Sequence, residues 1–383
     1  MRIVYITTLT DHYGGAQVHV RDLSKWMLDH GHEPHVLAGK PGIVSDAIKE
    51  SGVAFHEIKS LNRTIHPIYD LKAFLQTRRI LKKLKPDIVS CHSSKAGIIG
   101  RLAARSLGTK VIFTAHGWSF TEGISTQKQI LFKWAEKICA YFGNHIITVS
   151  RFDKFLALQN NISHSDNITA IHNGMPYTPP LLDKPYNPTP QLLMVARYSE
   201  QKDHTTLINA LGQLANDDWH LNLIGSGDDA PYRAMAKSFD IEDKITFHGQ
   251  RTDVPEFLKT QDVFLLVSHW EGFPRSIIEA MRASLPVITT RTAGSPESVS
   301  QFQSGYIVPE RDPKSLAKTI STLISDPLYR QTMGEMGRKR YDHFFTFDIM
   351  AYNTLNIYET VLGTEISAPP ALQKYAPKPI APQ

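Results

Sequence analysis

The sequence predicts an α/β protein of two doubly wound, Rossmann-like domains. Three observations carry this. Short apolar runs alternate with helical patterns along nearly the whole chain, a proline-rich break divides that alternation into two series, and turn residues follow the ends of the strands. At 383 residues the chain is long enough for two such domains, each with its own core. In doubly wound sheets ligands sit beyond the carboxyl ends of the strands, so the two series are expected to face each other across a cleft.

The first series occupies residues 1–172. Arg2–Thr8 reads as a parallel strand, followed by a turn with Gly14 and Gly15 and a helical pattern through Val18, Leu23, Trp26 and Met27 that stops at Gly31. Pro34–Ala38 is the next strand, which completes a βαβ unit. The Gly14-Gly15 turn lets a ligand approach the backbone, yet lacks the G-x-G-x-x-G spacing, so a dinucleotide is not expected. Leu71 to Lys85 is an amphipathic helix with Leu71, Phe74, Leu75, Leu81 and Leu84 toward one side and a strongly basic remainder. Asp87–Cys91 and Lys110–Thr114 are further strands. His116 directly follows the second of these and precedes Gly117, which puts it at the ligand-binding edge of the sheet. Ile146–Ser150 and Ile168–Ile171 complete the series.

Residues 173–190 hold seven of the prolines and glycines and read as a linker. The second series, 191–345, opens with the strand Gln191–Ala196, whose exit carries Arg197 and Lys202. An Arg grips a phosphate bidentately and a Lys acts on it as a point charge. Strands at His220–Ile224 and Lys244–Gly249 follow, the former trailed by Gly225-Ser-Gly227, a weak signal by itself.

The densest stretch is Ser268 to Met281. A buried strand, Val263–Val267, runs into a turn with Gly272 and Pro274, and a helical pattern begins with Ile277 and Ile278. The free N–H groups of about Arg275 to Ile277 then point out of a helix N-terminus, a ready phosphate site. Glu271 lies just outside that helix and Glu279 one turn inside it. Carboxylates so placed accept hydrogen bonds from hydroxyls. A ligand with phosphates and sugar hydroxyls would satisfy both. Residues 363–383, with five prolines and few apolar anchors, read as a disordered tail beyond a last helix at about 346–362.

Composition narrows the classes. Two cysteines in 383 residues exclude a disulfide framework and suit a reducing compartment. No apolar run approaches the roughly 18–20 residues that span a bilayer, so a cytoplasmic protein is expected. Residues 1–172 carry a net charge of +9 and residues 173–383 one of −4. That asymmetry, with the basic helix at Leu71–Lys85, suggests attachment to an anionic membrane surface on its inner face. A nucleic-acid role is not expected, since no basic motif interleaved with aromatics appears.

Gly14-Gly15, His116, Arg197, Lys202 and the pair Glu271-x7-Glu279 resemble the motifs of the retaining GT-B glycosyltransferases of family four, over about residues 1–361. His92–Arg101 and Thr114–Phe120 are further similar to bacterial enzymes of exopolysaccharide, capsule and lipid-linked oligosaccharide synthesis. The resemblance implies a nucleoside diphosphate sugar, a UDP-sugar in this subfamily, and a saccharide acceptor on a lipid. It places Arg197 and Lys202 on the diphosphate, Glu279 on the ribose, and Glu271 with the backbone of Gly272 and Phe273 on the transferred sugar. Gly14, Gly15 and His116 would reach the phosphate and sugar from the first domain, and the segment around Gly249 and Arg251 would border the base. No Asp-x-Asp and no His/Cys cluster with ligand spacing occurs, so neither a metal nor another cofactor is expected. Rival readings are a UDP-sugar 2-epimerase on the same architecture and an inactive scaffold subunit.

Overall fold

The computed structural model describes residues 1–11, 14–121, 123–180 and 187–364. Part of the proline-rich linker, 181–186, and nearly all of the tail, 365–383, lie outside the described residues. The chain divides into two compact units, Met1–His172 with Ile349–Gln383, and Asn173–Asp348.

In the first unit β1 (Arg2–Thr7), α1 (Gly15–Asp29), β2 (Glu33–Ala38), α2 (Ile43–Glu50), β3 (Ala54–Glu57), α3 (Pro67–Leu84), β4 (Ile88–His92), α4 (Ser94–Arg105), β5 (Lys110–Ala115), α5 (Thr126–Tyr141), β6 (His145–Thr148), α6 (Arg151–Gln159) and β7 (Ile168–Ala170) alternate. The strands form one seven-stranded parallel sheet in the order β3-β2-β1-β4-β5-β6-β7. The order reverses between β1 and β4, which puts the crevice of this sheet beside the loop that leads to Gly14 and Gly15. β4 is buried at every residue, as central strands of a doubly wound sheet covered on both faces are. α4 lies so close to it that a Cβ on Gly100 would come within 2.3 Å of Cys91 Sγ. That glycine serves packing.

The basic helix α3 corrects one detail of the sequence reading. Its core face is Ala73, Thr77 and Leu81, with Phe74 and Leu84 packed alongside, whereas Leu71 and Leu75 are exposed. The leucines are split between two faces, with Leu81 in the core and Leu71 and Leu75 at the surface.

In the second unit β8 (Gln191–Val195), α7 (His204–Gly212), β9 (His220–Ile224), α8 (Ala230–Ser238), β10 (Ile245–Phe247), α9 (Val254–Thr260), β11 (Val263–Leu266), α10 (Arg275–Arg282), β12 (Val287–Thr290), α11 (Ser295–Ser298), β13 (Gly305–Val308), α12 (Pro313–Ser325) and α13 (Pro327–Phe344) follow in turn. Their parallel sheet has the order β10-β9-β8-β11-β12-β13, with its reversal between β8 and β11. Met175 bridges Thr346 and its N–H donates to the Phe345 carbonyl at 3.0 Å, so residues just before the undescribed part of the linker are hydrogen-bonded within this unit. α14 (Phe347–Leu362) carries the chain back into the first unit.

Candidate functional site

The second unit places its charges at its own switch point. Arg197 lies two residues beyond β8 and Glu271 five beyond β11, the two strands between which the order reverses. A short antiparallel bridge joins Lys202 to Ser268, flanked by Asp203 N–H to Val267 O at 3.0 Å and His269 N–H to Gln201 O at 2.9 Å. This lacing of the two exits brings Lys202 Nζ into an ion pair with Glu271 Oε1. Both side chains are largely out of water, 13 % and 8 % exposed. Arg197 is exposed and has no ion-pair partner among the described residues.

α10 begins at Arg275 with Pro274 as its N-cap residue, and no side chain caps it. The N–H groups of a helix's first turn are those that its own helix leaves without a partner. Gly272 precedes them, and Phe273 is buried with its carbonyl accepting from Asn173 Nδ2 at 2.8 Å. Glu279 is half-buried one turn along. Burial pushes its carboxyl above the ordinary range, while the charges of Arg275 and Arg282 act against that shift.

The strand exits on the other side of β8 are knitted to one another. A Cβ on Gly225 would sit 1.9 Å from the Ala196 carbonyl, and Gly225 N–H donates to Gly249 O at 2.9 Å. The close approach that Gly225 permits is thus to its neighbouring strand exit. Gly249 has φ of 65° with open space where a side chain would be. Arg251 is exposed and paired to Asp253 at 2.6 Å, so its backbone surroundings rather than a free guanidinium border this edge.

The first unit assembles a cluster of histidines. Gly14 is the N-cap residue of α1 and Gly15 its first residue, where a side chain would meet nothing within 4 Å. His116 follows β5, and its Nε2 lies 3.0 Å from Nδ1 of His92 at the end of β4. His92 Nε2 is 3.0 Å from Ser90 Oγ, which accepts from Tyr358 OH of α14 at 2.8 Å. Burial, with the neighbouring His116, holds His92 well below its ordinary pKa and therefore neutral. One of its ring nitrogens then donates and the other accepts, which ties the hydrogen-bonding state of His116 to that of Ser90. His19 of α1 stands edge-on to His116, ring centroids 4.8 Å apart. The nitrogens of His19, His92 and His116 lie within 4.8 Å of one another, a set that could hold a metal ion. No spacing in the sequence reveals it, because the three come from different elements. The 3.0 Å hydrogen bond already engages two of the nitrogens with each other.

Comparison with known proteins fits both halves. Residues 13–177 match the model of Glycosyltransferase Family 4, and residues 184–340 match that of Glycosyl transferases group 1. The chain is 28% identical over 311 residues to the UDP-Gal:alpha-D-GlcNAc-diphosphoundecaprenol alpha-1,3-galactosyltransferase of Escherichia coli, covering 76% of this chain and 80% of that protein. It is 27% identical over 324 residues to the capsular polysaccharide biosynthesis glycosyltransferase CapM of Staphylococcus aureus, covering 79% and 84%. Among solved structures, a glycosyltransferase of Rickettsia africae superposes with a TM-score of 0.82 at 22% identity, covering 95% of this chain and 99% of that one. Anabaena HepE in complex with UDP superposes at 0.79 and 18%, covering 94% and 100%. The fold and the matched domains define a GT-B glycosyltransferase. The chain belongs to the family in which a Glycosyltransferase Family 4 domain precedes a Glycosyl transferases group 1 domain.

Proposed function

We propose that this glycosyltransferase moves a hexose or N-acetylhexosamine from a UDP-sugar to a lipid-linked saccharide in cell-surface polysaccharide assembly, with retention at the anomeric carbon. The observation that carries the reading is the Lys202–Glu271 ion pair at the switch point between β8 and β11, with Arg197 at the exit of β8 and the start of α10 following the exit of β11. The names of relatives support the substrate class: the E. coli enzyme pairs UDP-Gal with a diphosphoundecaprenol acceptor, and HepE has been crystallised with UDP-glucose.

In this reading Arg197, Lys202 and the α10 N–H groups hold the diphosphate and stabilise the charge it gains as the bond to the sugar breaks. These cations supply what a divalent metal could otherwise supply, and the reaction is expected to run without one. Glu271 and the backbone at Gly272 and Phe273 hold the sugar, Glu279 the ribose hydroxyls, and the backbone around Gly249 and Arg251 the base. Gly14, Gly15 and His116 act from the first domain. The acceptor oxygen attacks on the face the diphosphate leaves, and its proton passes to the departing phosphate. An acceptor of this kind implies work at the inner face of a membrane. No helix among the described residues is long and apolar enough to cross one.

The test is thermal stability in chelator with UDP, GDP, ADP or no nucleotide. Ligand at a hundredfold excess over Kd stabilises the native state by about 2.7 kcal/mol. A shift with UDP alone is expected; no shift with any nucleotide would overturn the donor-site reading.

A further inference from the structure

α5 packs Phe132 and Ala140 against the core, yet most of its large apolar side chains face outward. Its buried residues are Glu136 and Cys139. The Glu136 carboxylate accepts from the fully buried Arg101 guanidinium of α4 at 2.7 Å, which pins the rotation of the helix. At about 100° per residue, Ile130, Leu131, Trp134, Ile138 and Tyr141 fall on one arc opposite Glu136. They are 53–82 % exposed. A contiguous set of large apolar side chains held outward by a buried ion pair marks an interaction surface.

The charge around that arc selects the partner. Lys128, Lys133 and Lys137 share the helix, and Lys137 Nζ lies over the Trp134 ring at 5.4 Å. The only acid of α5 is Glu136, consumed in the core. A second copy docked through a two-fold axis would set these lysines against one another with no acid on the helix to neutralise them. An anionic lipid surface neutralises them and accepts the apolar arc as well. Aliphatic residues with Trp, Tyr and Lys on one face are the composition of helices that lie in the membrane interface.

We infer that α5 is a membrane-docking helix, with Ile130, Leu131, Trp134, Ile138 and Tyr141 entering the boundary between headgroups and acyl chains of an anionic bilayer and its lysines meeting the phosphates. α3, the basic helix conspicuous in the sequence, then contributes charge while α5 contributes insertion. The inference rests on one helix face and is independent of the donor site.

It is tested by co-sedimentation of the full chain with vesicles of phosphatidylcholine alone and of phosphatidylcholine with phosphatidylglycerol. The wild type is expected to bind the anionic vesicles, with Trp134 emission shifting to the blue and the shift absent from Trp134→Phe. The Leu131→Ser/Ile138→Ser variant should bind on the order of tenfold more weakly, and Lys133→Gln/Lys137→Gln should flatten the salt dependence. The thermal shift with UDP should persist in all of them, showing that the fold and donor site are intact whatever the vesicles report. Equal vesicle binding by wild type and Leu131→Ser/Ile138→Ser would overturn the inference, as would wild type that binds no vesicle. So would a dimer in sedimentation velocity that these substitutions dissociate.

Discussion

Each unit holds a cation–carboxylate pair largely out of water, and the two pairs differ in their surroundings. Arg101 and Glu136 join α4 to α5, and Arg101 also donates to Gly97 O and lies over the Phe113 ring at 4.3 Å. Lys202 and Glu271 join two strand exits beside a helix start whose N–H groups have no cap. The first pair is enclosed on all sides by fold; the second borders the place where a doubly wound sheet receives ligands. Residue chemistry alone does not separate a structural ion pair from a functional one. Position on the sheet is what assigns the second pair to the proposed donor site.

That distinction can be broken. Glu136→Ala leaves a buried guanidinium unpaired and should destabilise the first unit by about 3–5 kcal/mol, read by urea denaturation. Glu271→Gln should lower turnover by about 10²–10³-fold with a smaller loss of stability. Equal stability losses in the two variants, with turnover intact in the second, would erase the contrast. Arg197→Ala should act mainly on kcat, by about 10²-fold, because a leaving-group contact strengthens as charge develops. Glu279→Ala should act instead on donor affinity, by about tenfold, the scale of one hydrogen bond to a charged group.

Acid should strike both units in the same direction. His145 in the first and His204 in the second are pushed down to about 4, first by burial. Above about 6.5 both are neutral folded or unfolded. As pH falls from there toward 4 the unfolded chain takes up protons that the folded one refuses, so stability falls, by about 1.4 kcal/mol per pH unit for each histidine. Urea midpoints from pH 7 to 5, flattened in His145→Gln and His204→Gln, check this. The smallest expected effect is Tyr358→Phe. It removes the donor to Ser90, costs about 1 kcal/mol, and should lower turnover severalfold through His92 and His116 while UDP binding is unchanged. A drop in stability with no change in turnover would make that chain purely structural.

How much of this was legible depends on the element. The strand ends and the stretch from Ser268 to Met281 could be read because β-rich apolar runs, glycine turns and a helix start are local patterns. α13 could not. Its buried residues include Arg330, Gly334, Gly337 and Arg338, and a Cβ on Gly334 would lie 2.1 Å from the Ser284 carbonyl. A helix that buries glycines and arginines shows no apolar stripe. α5 escaped notice for the converse reason, since its apolar arc faces away from the core. His19 carried no signal, and His92 stood out only as the start of a family-like stretch, until the fold sets both beside His116.

The sequence by itself determined the alternation of strands and helices, the division into two series, and which charged residues stand at strand exits, because each is encoded by near neighbours. Only the tertiary structure decided which exits meet. The pairing of Lys202 with Glu271 spans 69 residues, and the link from Tyr358 to Ser90 spans 268. The first depends on strand order in a sheet and the second on where α14 packs against β4, and no local stretch of the chain records either.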